Sequence, residues 1–472
     1  MLRPRSLVRI DDAPPALFTR DVTLDLARQV QALMVADADV ISISSWLLSR
    51  TDFSLGEVTG GYDSAERTVS FEEAFGQRLV DMSTDQIDPA ALKDAVTRAE
   101  ALARALVLTG AKAEPRDPLR PASPSNPALW SENTLSLTAP EARLGPVEVV
   151  LAETAKIGLV GAGSLILGPL TRSVWTDAGH FEYGRASTAT FSVTARQKDS
   201  TGSGWASWVG EDWSQADPVA IAARAADVAE RSRNPVAVEP GRWTVVMTPE
   251  ACGALVQWIA FLRGEGQHIL GGPDADRGRT PFSKPSGGNL IGLKVMDERV
   301  TLSADPMDPI GGFMSFELIG DLLQYRPVTW VDHGILRTLS YPRRAAAERH
   351  GLEQVNNPGS LRMSGGPTSI DEMIATTDRG IYVTRFSDVT VTQVKSLQLT
   401  GVTRDGTFLI EKGKITKPVK NMRFEDSPMS FLNNIEALGP VKRVPTDFPS
   451  VSYVMPAIKV RDFAFTSLTD AI

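Results

Sequence analysis

The chain has 472 residues, 42% of them hydrophobic and 22% charged, enough apolar content for two or three domains at roughly 100–200 residues each. The net charge is -8, and adjacent basic residues form nothing longer than short pairs such as Arg343-Arg344 and Lys442-Arg443. That balance argues against nucleic acid as a partner, which calls for a basic stripe or patch. One cysteine, Cys252, excludes an internal disulfide and any CxxC zinc site.

The basic N-terminus, MLRPRSLVRIDDAPPALF, carries no apolar run of signal-peptide length. The longest apolar stretch, IGLVGAGSLILGPL, falls short of the ~20 residues of a membrane span. A cytoplasmic location with no membrane contact is expected.

Residues 20–48 carry helical spacing, with Leu24, Leu26, Val30, Leu33 and Met34 on one face and Asp21 as the expected cap. The stretch ADVISISSWLLSRTDFSL then reads as a strand, a turn and a second strand. Residues 88–108 form an amphipathic helix, capped by Asp88, opened by Pro89 and followed by Gly110. Five prolines in residues 113–130 exclude helix and central strand and leave a surface loop or a linker. Residues 146–210 suggest antiparallel strands, ATFSVTARQ and GSGWASWV among them. DPVAIAARAADVAERSR, residues 217–233, is a helix with an Asp-Pro start. The texture changes over SRNPVAVEPG, residues 232–241, and the main domain boundary is placed there. The expected division is an N-terminal α+β domain, residues 1–235, and a β-rich, mostly antiparallel domain, residues 236–472. Within the latter, IEKGKI reads as a hairpin.

Gly161-x-Gly163 lacks the third glycine of a dinucleotide fingerprint, because Ile166 stands in its place, and is read as a packing or turn segment. No G-x-S-x-G elbow occurs. Of the four histidines (His180, His268, His333, His350), only His268 forms, with Glu265, a close acid–histidine pair on a glycine-broken turn. Two such groups do not make a catalytic zinc site, which takes three protein ligands and an open position. His333 in WVDHGILRTL is expected in a turn between strands. After the strand WTVVM, Thr248 caps a helix with Pro249 and Glu250 in its first turn. Leu255, Val256, Trp258, Ile259, Phe261 and Leu262 make it apolar on every side, so it is expected to run buried through residue 262. Cys252 is expected to be a small buried hydrophobe there.

Several stretches carry a family resemblance. TRDGTFLIEKGKITKPVKNMRFEDSP, residues 403–428, is similar to the C-terminal signature of the TldD/PmbA family, whose PmbA type is also called TldE. RNPVAVEPGRWTVVMTPEA, NNPGSLRMSGG, DEMIATTDRGIYVTRF and NNIEALG agree in the same order, so the likeness is close over about residues 190–465. The resemblance implies a two-domain protein whose TldD and TldE types pair into a zinc-dependent peptidase, taking unfolded or leader peptides into an enclosed cavity. In the TldD type it implies an HExxxH motif on this helix, with a distal cysteine as third ligand and the glutamate as base. Ligands five residues apart on a regular helix diverge by about 140°, so that helix must break. Aligned with that motif, this chain has Gln257 for the first histidine, Trp258 for the glutamate and Leu262 for the second histidine. No cysteine lies further along. The chain therefore resembles the TldE type. The resemblance implies no catalytic, cofactor-binding or metal-ligating residue in this chain, with zinc supplied by a TldD-type partner. Two other readings stay open: an independent peptidase with a rebuilt site using Glu265 and His268, and a peptide-binding homo-oligomeric scaffold, a homodimer when alone.

Overall fold

A computed structural model describes residues 17–34, 37–75, 78–107, 126–176, 179–260, 262–263, 267–314, 325–341, 346, 354–355, 360–446 and 451–469. The elements of the first half are α1 (Arg20–Leu33), β1 (Asp37–Ser54), β2 (Glu57–Phe75), β3 (Arg78–Thr84), α2 (Pro89–Val107), α3 (Glu132–Ser136), α4 (Pro140–Lys156), β4 (Val160–Leu167), β5 (Leu170–Thr176), β6 (Phe181–Ala186), β7 (Ala189–Arg196), β8 (Ser203–Gly210) and α5 (Pro218–Arg231). Those of the second half are β9 (Gly241–Met247), α6 (Pro249–Val256), β10 (Leu262–Arg263), β11 (Gln267–His268), α7 (Gly272–Asp276), β12 (Leu302–Ala304), β13 (Val328–Asp332), β14 (Ile335–Leu336), β15 (Ser360–Met363), α8 (Ile370–Ala375), β16 (Arg379–Val383), β17 (Phe386–Gln393), β18 (Gln398–Thr403), β19 (Thr407–Glu411), β20 (Lys414–Pro418), β21 (Met422–Asp426), α9 (Pro428–Phe431), β22 (Ile435–Val444) and β23 (Ser452–Leu468). The architecture is α+β, as expected.

The chain divides into two compact units: residues 1–50, 61–121 and 168–185 in one, and 51–60, 122–167 and 186–472 in the other. In the first unit, β1 pairs antiparallel with β5, from Val40 opposite Thr176 to Trp46 opposite Leu170, and β2 pairs antiparallel with β3. Two helices join these strands in one core. Leu26, Ala27 and Val30 of α1 and Leu92, Ala95, Val96, Ala99 and Ala103 of α2 bury with Ile41, Ile43, Val69, Phe71 and Val80. The cap of α1 is Thr19, whose side chain accepts from Val22 N, and not Asp21. A hydroxyl one residue outside the helix reaches that amide, whereas Asp21 already lies within the first turn. α2 starts as its sequence predicts, with Ala90 N and Ala91 N both donating to Asp88 Oδ1 at 3.1 and 3.0 Å. Gly110 lies outside the described residues. The expected break within ADVISISSWLLSRTDFSL is absent: β1 runs unbroken to Ser54, and the chain reverses at Leu55-Gly56, both at positive φ.

In the second unit, β4, β7 and β8 form antiparallel ladders, and α4 and α5 share a core with Phe191 and Val193. Residues 146–156, expected among strands, are the C-terminal part of α4, which contains Pro146. The proline lies inside the helix and removes one backbone hydrogen bond, while Val147 and Val150 beyond it are buried in the core and hold the helix in place. Gly161-x-Gly163 is a packing segment of β4: a Cβ on Gly163 would stand 2.0 Å from Ser192 O. Asp217 caps α5 by accepting from Ala220 N at 3.0 Å.

The C-terminal sheet runs β14-β13-β12-β15-β23-β9-β16-β19-β20, with β17, β18, β21 and β22 branching from β23. The 17-residue β23 is its spine, and its first nine residues are all buried. Pairing is mostly antiparallel, with parallel contacts at β15–β23 and β9–β16. Two hairpins turn where the sequence predicts: His333-Gly334 and Lys412-Gly413 all have positive φ, the backbone that tight two-residue hairpins require. Phe386, Phe424, Phe431, Phe463 and Phe465 fill the core beside the spine.

Candidate functional site

The helix after β9 forms for local reasons. Thr248 Oγ1 accepts from Ala251 N at 3.1 Å and donates to Thr384 O at 2.7 Å, so one hydroxyl caps the helix and ties it to the chain after β16. Pro249 opens the first turn. Glu250 meets Lys442 at 2.5 Å. Ala251, Cys252, Gly253, Leu255 and Val256 are all buried. Gly253 sets the closeness of the packing, because a Cβ there would stand 2.6 Å from Val444 Cγ2. Burial pushes the Cys252 thiol up to about 12, so it stays neutral and unreactive at ordinary pH.

The helix is shorter than its apolar run. α6 ends at Val256, six residues before Leu262, and Gln257–Ile259 form one tighter turn. Leu262 then pairs with His268, and Arg263 with Gln267, in a small antiparallel ladder. That ladder satisfies backbone groups that a longer helix would have used. Gln257 stands at the C-cap, its amide donating to Ala254 O at 3.3 Å. Trp258 is partly buried against the C-terminal core. Gln257 and Trp258 are thus neighbours in one turn, while Leu262 lies beyond it on a strand. The side chains of Leu262 and His268, and the whole of Glu265 and His350, lie outside the described residues.

The other histidines stand elsewhere. His180 Nε2 is 3.5 Å from Glu182. His333 occupies its turn with Nδ1 2.7 Å from Asp332, which also binds Arg337 at 2.9 Å. Among the described residues no group of three His, Cys, Asp or Glu side chains comes together as a metal site. At Gln257 and Trp258 the available groups are a primary amide and an indole, neither of which belongs to the imidazole, thiolate and carboxylate set that zinc takes.

Beside α6 runs β17. It pairs with β18, and among the described residues it has no second strand neighbour. Thr390 and Thr392 are exposed along it.

A second feature had no sequence signal beyond its Asp-Gly turn. Asp405, only 2% exposed, takes positive φ. Its carboxylate binds Arg385 at 2.7 Å, and that guanidinium lies 4.7 Å from the Trp205 ring centre. A cavity of about 240 Å³ adjoins it, lined among others by Thr201, Ser232, Thr407, Lys420 and Asn421. Residues so distant in sequence meet only through tertiary packing.

Residues 240–467 match the family described as the PmbA/TldA metallopeptidase C-terminal domain. A protein of Methanothermobacter thermautotrophicus described as a metalloprotease is 26% identical over 211 residues, which is 42% of this chain and 43% of that protein's length. Three solved structures share the fold. A candidate modulator of a DNA gyrase from Thermotoga maritima has a TM-score of 0.78 at 14% identity, covering 94% of this chain and 100% of that one. A second candidate gyrase modulator, from Bacteroides thetaiotaomicron, has 0.74 at 17%, covering 95% and 100%. TldE from Thermococcus kodakarensis has 0.74 at 16%, covering 94% and 100%. The chain carries the C-terminal domain of metallopeptidase relatives in the half that holds α6, and it belongs to the TldD/PmbA family.

Proposed function

We propose that this chain is the non-catalytic, metal-free TldE-like subunit of a TldD–TldE-type zinc metallopeptidase acting on unfolded or leader peptides. The observation that carries the reading is at the end of α6. Gln257 caps the helix with its amide turned to Ala254 O, Trp258 packs on the core, and neither supplies a zinc ligand or a base. The zinc and the chemistry belong, on this reading, to a TldD-type partner, and this chain completes the cavity and holds substrate. The open side of β17 beside α6 suits an extended peptide, which adds to a sheet edge through backbone hydrogen bonds and needs no particular side chain.

Native mass spectrometry of the chain after incubation with zinc and removal of free metal tests the reading. The expected spectrum is metal-free. Adding a TldD-type partner is then expected to give a heterodimer that cleaves unfolded peptide, with cleavage lost on chelation. One zinc per chain, or peptidase activity of the chain alone, would overturn the assignment. The peptide edge has its own test. In an antiparallel strand, successive amides point to opposite sides, so one of Thr390 and Val391 donates toward the open edge. Proline at that position is expected to abolish peptide binding while the fold is kept, and unchanged peptide binding would count against β17 as the edge. The same reading divides the chain into folding domains at 235/236. A cooperative unfolding transition of residues 236–472 expressed alone would support that division.

A further inference from the structure

Strand β2 carries an acid where its pattern calls for an apolar side chain. Val69, Phe71 and Glu73 alternate on one face and are all buried, at 0%, 1% and 0% exposure. Val69 and Phe71 sit in the core that α2 covers with Leu92, Ala95, Val96, Ala99 and Ala103. Neither Glu73 carboxyl oxygen has a hydrogen-bond partner. Leaving a buried polar group unsatisfied is costly, and more so when the group is charged. The carboxyl is therefore tolerated in its neutral form.

From these positions we propose that Glu73 is a proton-operated latch, holding α2 on the sheet when protonated and loosening it when ionised. The charged group that acts on it from α2 is Glu100, an acid rather than a base. Glu100 also meets Arg104, one turn further along the same helix, at 3.7 Å. From β3, Val80 stands opposite Glu73 in the register and offers no charge. Asp81, next to it, is itself shifted upward by burial. No group in this set offers the ionised carboxylate a cation. Burial first, and then Glu100, raise the Glu73 carboxyl from 4.5 to about 7.

The sign follows from linkage. A carboxyl raised in the seated state favours that state fully below the ordinary carboxylate range. The preference then falls as pH rises toward about 7 and is exhausted above it. Between the two limits one proton is released on opening, so the seating equilibrium weakens up to about tenfold per pH unit.

Hydrogen exchange of the full-length chain tests this. Protection factors of the α2 amides, corrected for intrinsic exchange, are measured from pH 5.5 to 8. In the wild type they are expected to fall toward neutrality and then level off, while amides of β9 and β16 stay constant. Glu73→Gln, which keeps the shape and removes the proton, is expected to hold α2 protection flat. Glu73→Leu is expected to do the same should the glutamine variant fold poorly. An equal fall in wild type and variants, or a parallel fall in β9 and β16, would overturn the latch.

Discussion

Among the described residues, Cys252 and Glu73 are ionisable groups with no exposed surface, and they behave in opposite ways. Cys252 on α6 and Glu73 on β2 are both 0% exposed. Burial penalises the charged form of each and pushes both upward, the thiol to about 12 and the carboxyl to about 7. A thiol starts high, so the shift carries it out of the physiological range and leaves an inert core side chain. A carboxyl starts low, so a similar push brings it into that range. Burial leaves a silent thiol in one core and, with Glu100 adding to the push, a carboxyl raised toward neutrality in the other, and the starting chemistry of the side chain sets where each ends.

Five measurements break or sharpen that contrast. The largest effect belongs to the C-terminal core, where the Phe463 ring lies 5.2–5.9 Å from Phe465, Phe424, Phe386 and Phe431. Phe463→Ala is expected to cost about 3–5 kcal/mol in urea unfolding. A cost below about 1 kcal/mol would mean that this core is loosely packed. Gly253→Ala should cost about 1–3 kcal/mol, because the buried Val444 must move. The gain in helix propensity, about 1 kcal/mol, works the other way, so stabilisation would mean that β22 yields easily.

For Glu73→Gln the expected change is a gain in stability that grows with pH. The native carboxyl is raised, so the wild type loses stability as pH rises from the ordinary carboxylate range toward about 7, at most about 1.4 kcal/mol per pH unit. Identical urea midpoints for the two proteins at pH 5 and pH 8 would remove Glu73 from that account. Asp217→Ala should cost about 1 kcal/mol by leaving Ala220 N uncapped, and a thermal melt reads it. The smallest signal is at Cys252. Iodoacetamide should leave the native chain unmodified and label it once in urea, and rapid native labelling would contradict the burial of α6.

Much of the fold was legible in the sequence because its signals are local. Asp88, Asp217 and Thr248 each announce a helix start, and each accepts the expected amide. His333-Gly334 and Lys412-Gly413 announce hairpins through their glycines, which take positive φ without a Cβ penalty. Where local rules were ambiguous, packing decided. No residue inside β1 marks whether it turns, and its ladder with β5 holds Val40–Trp46 extended. The apolar run after Val256 suits a helix as well as a turn, and the Leu262–His268 pairing chose the turn. At the candidate site, Gln257, Trp258 and Leu262 could be named from alignment to the motif. That the first two share one turn while the third has passed onto a strand could not.

By itself, the sequence determined the α+β class, the main caps and turns, and a family signature in the C-terminal half, since these are written in neighbouring residues. The tertiary structure alone decided where α6 ends, how Asp405, Arg385 and Trp205 meet, and that the acid at position 73 faces inward with no partner. Those outcomes depend on which distant backbone and side-chain groups compete for the same hydrogen bonds and the same space. Spacing along the chain carries no record of that competition.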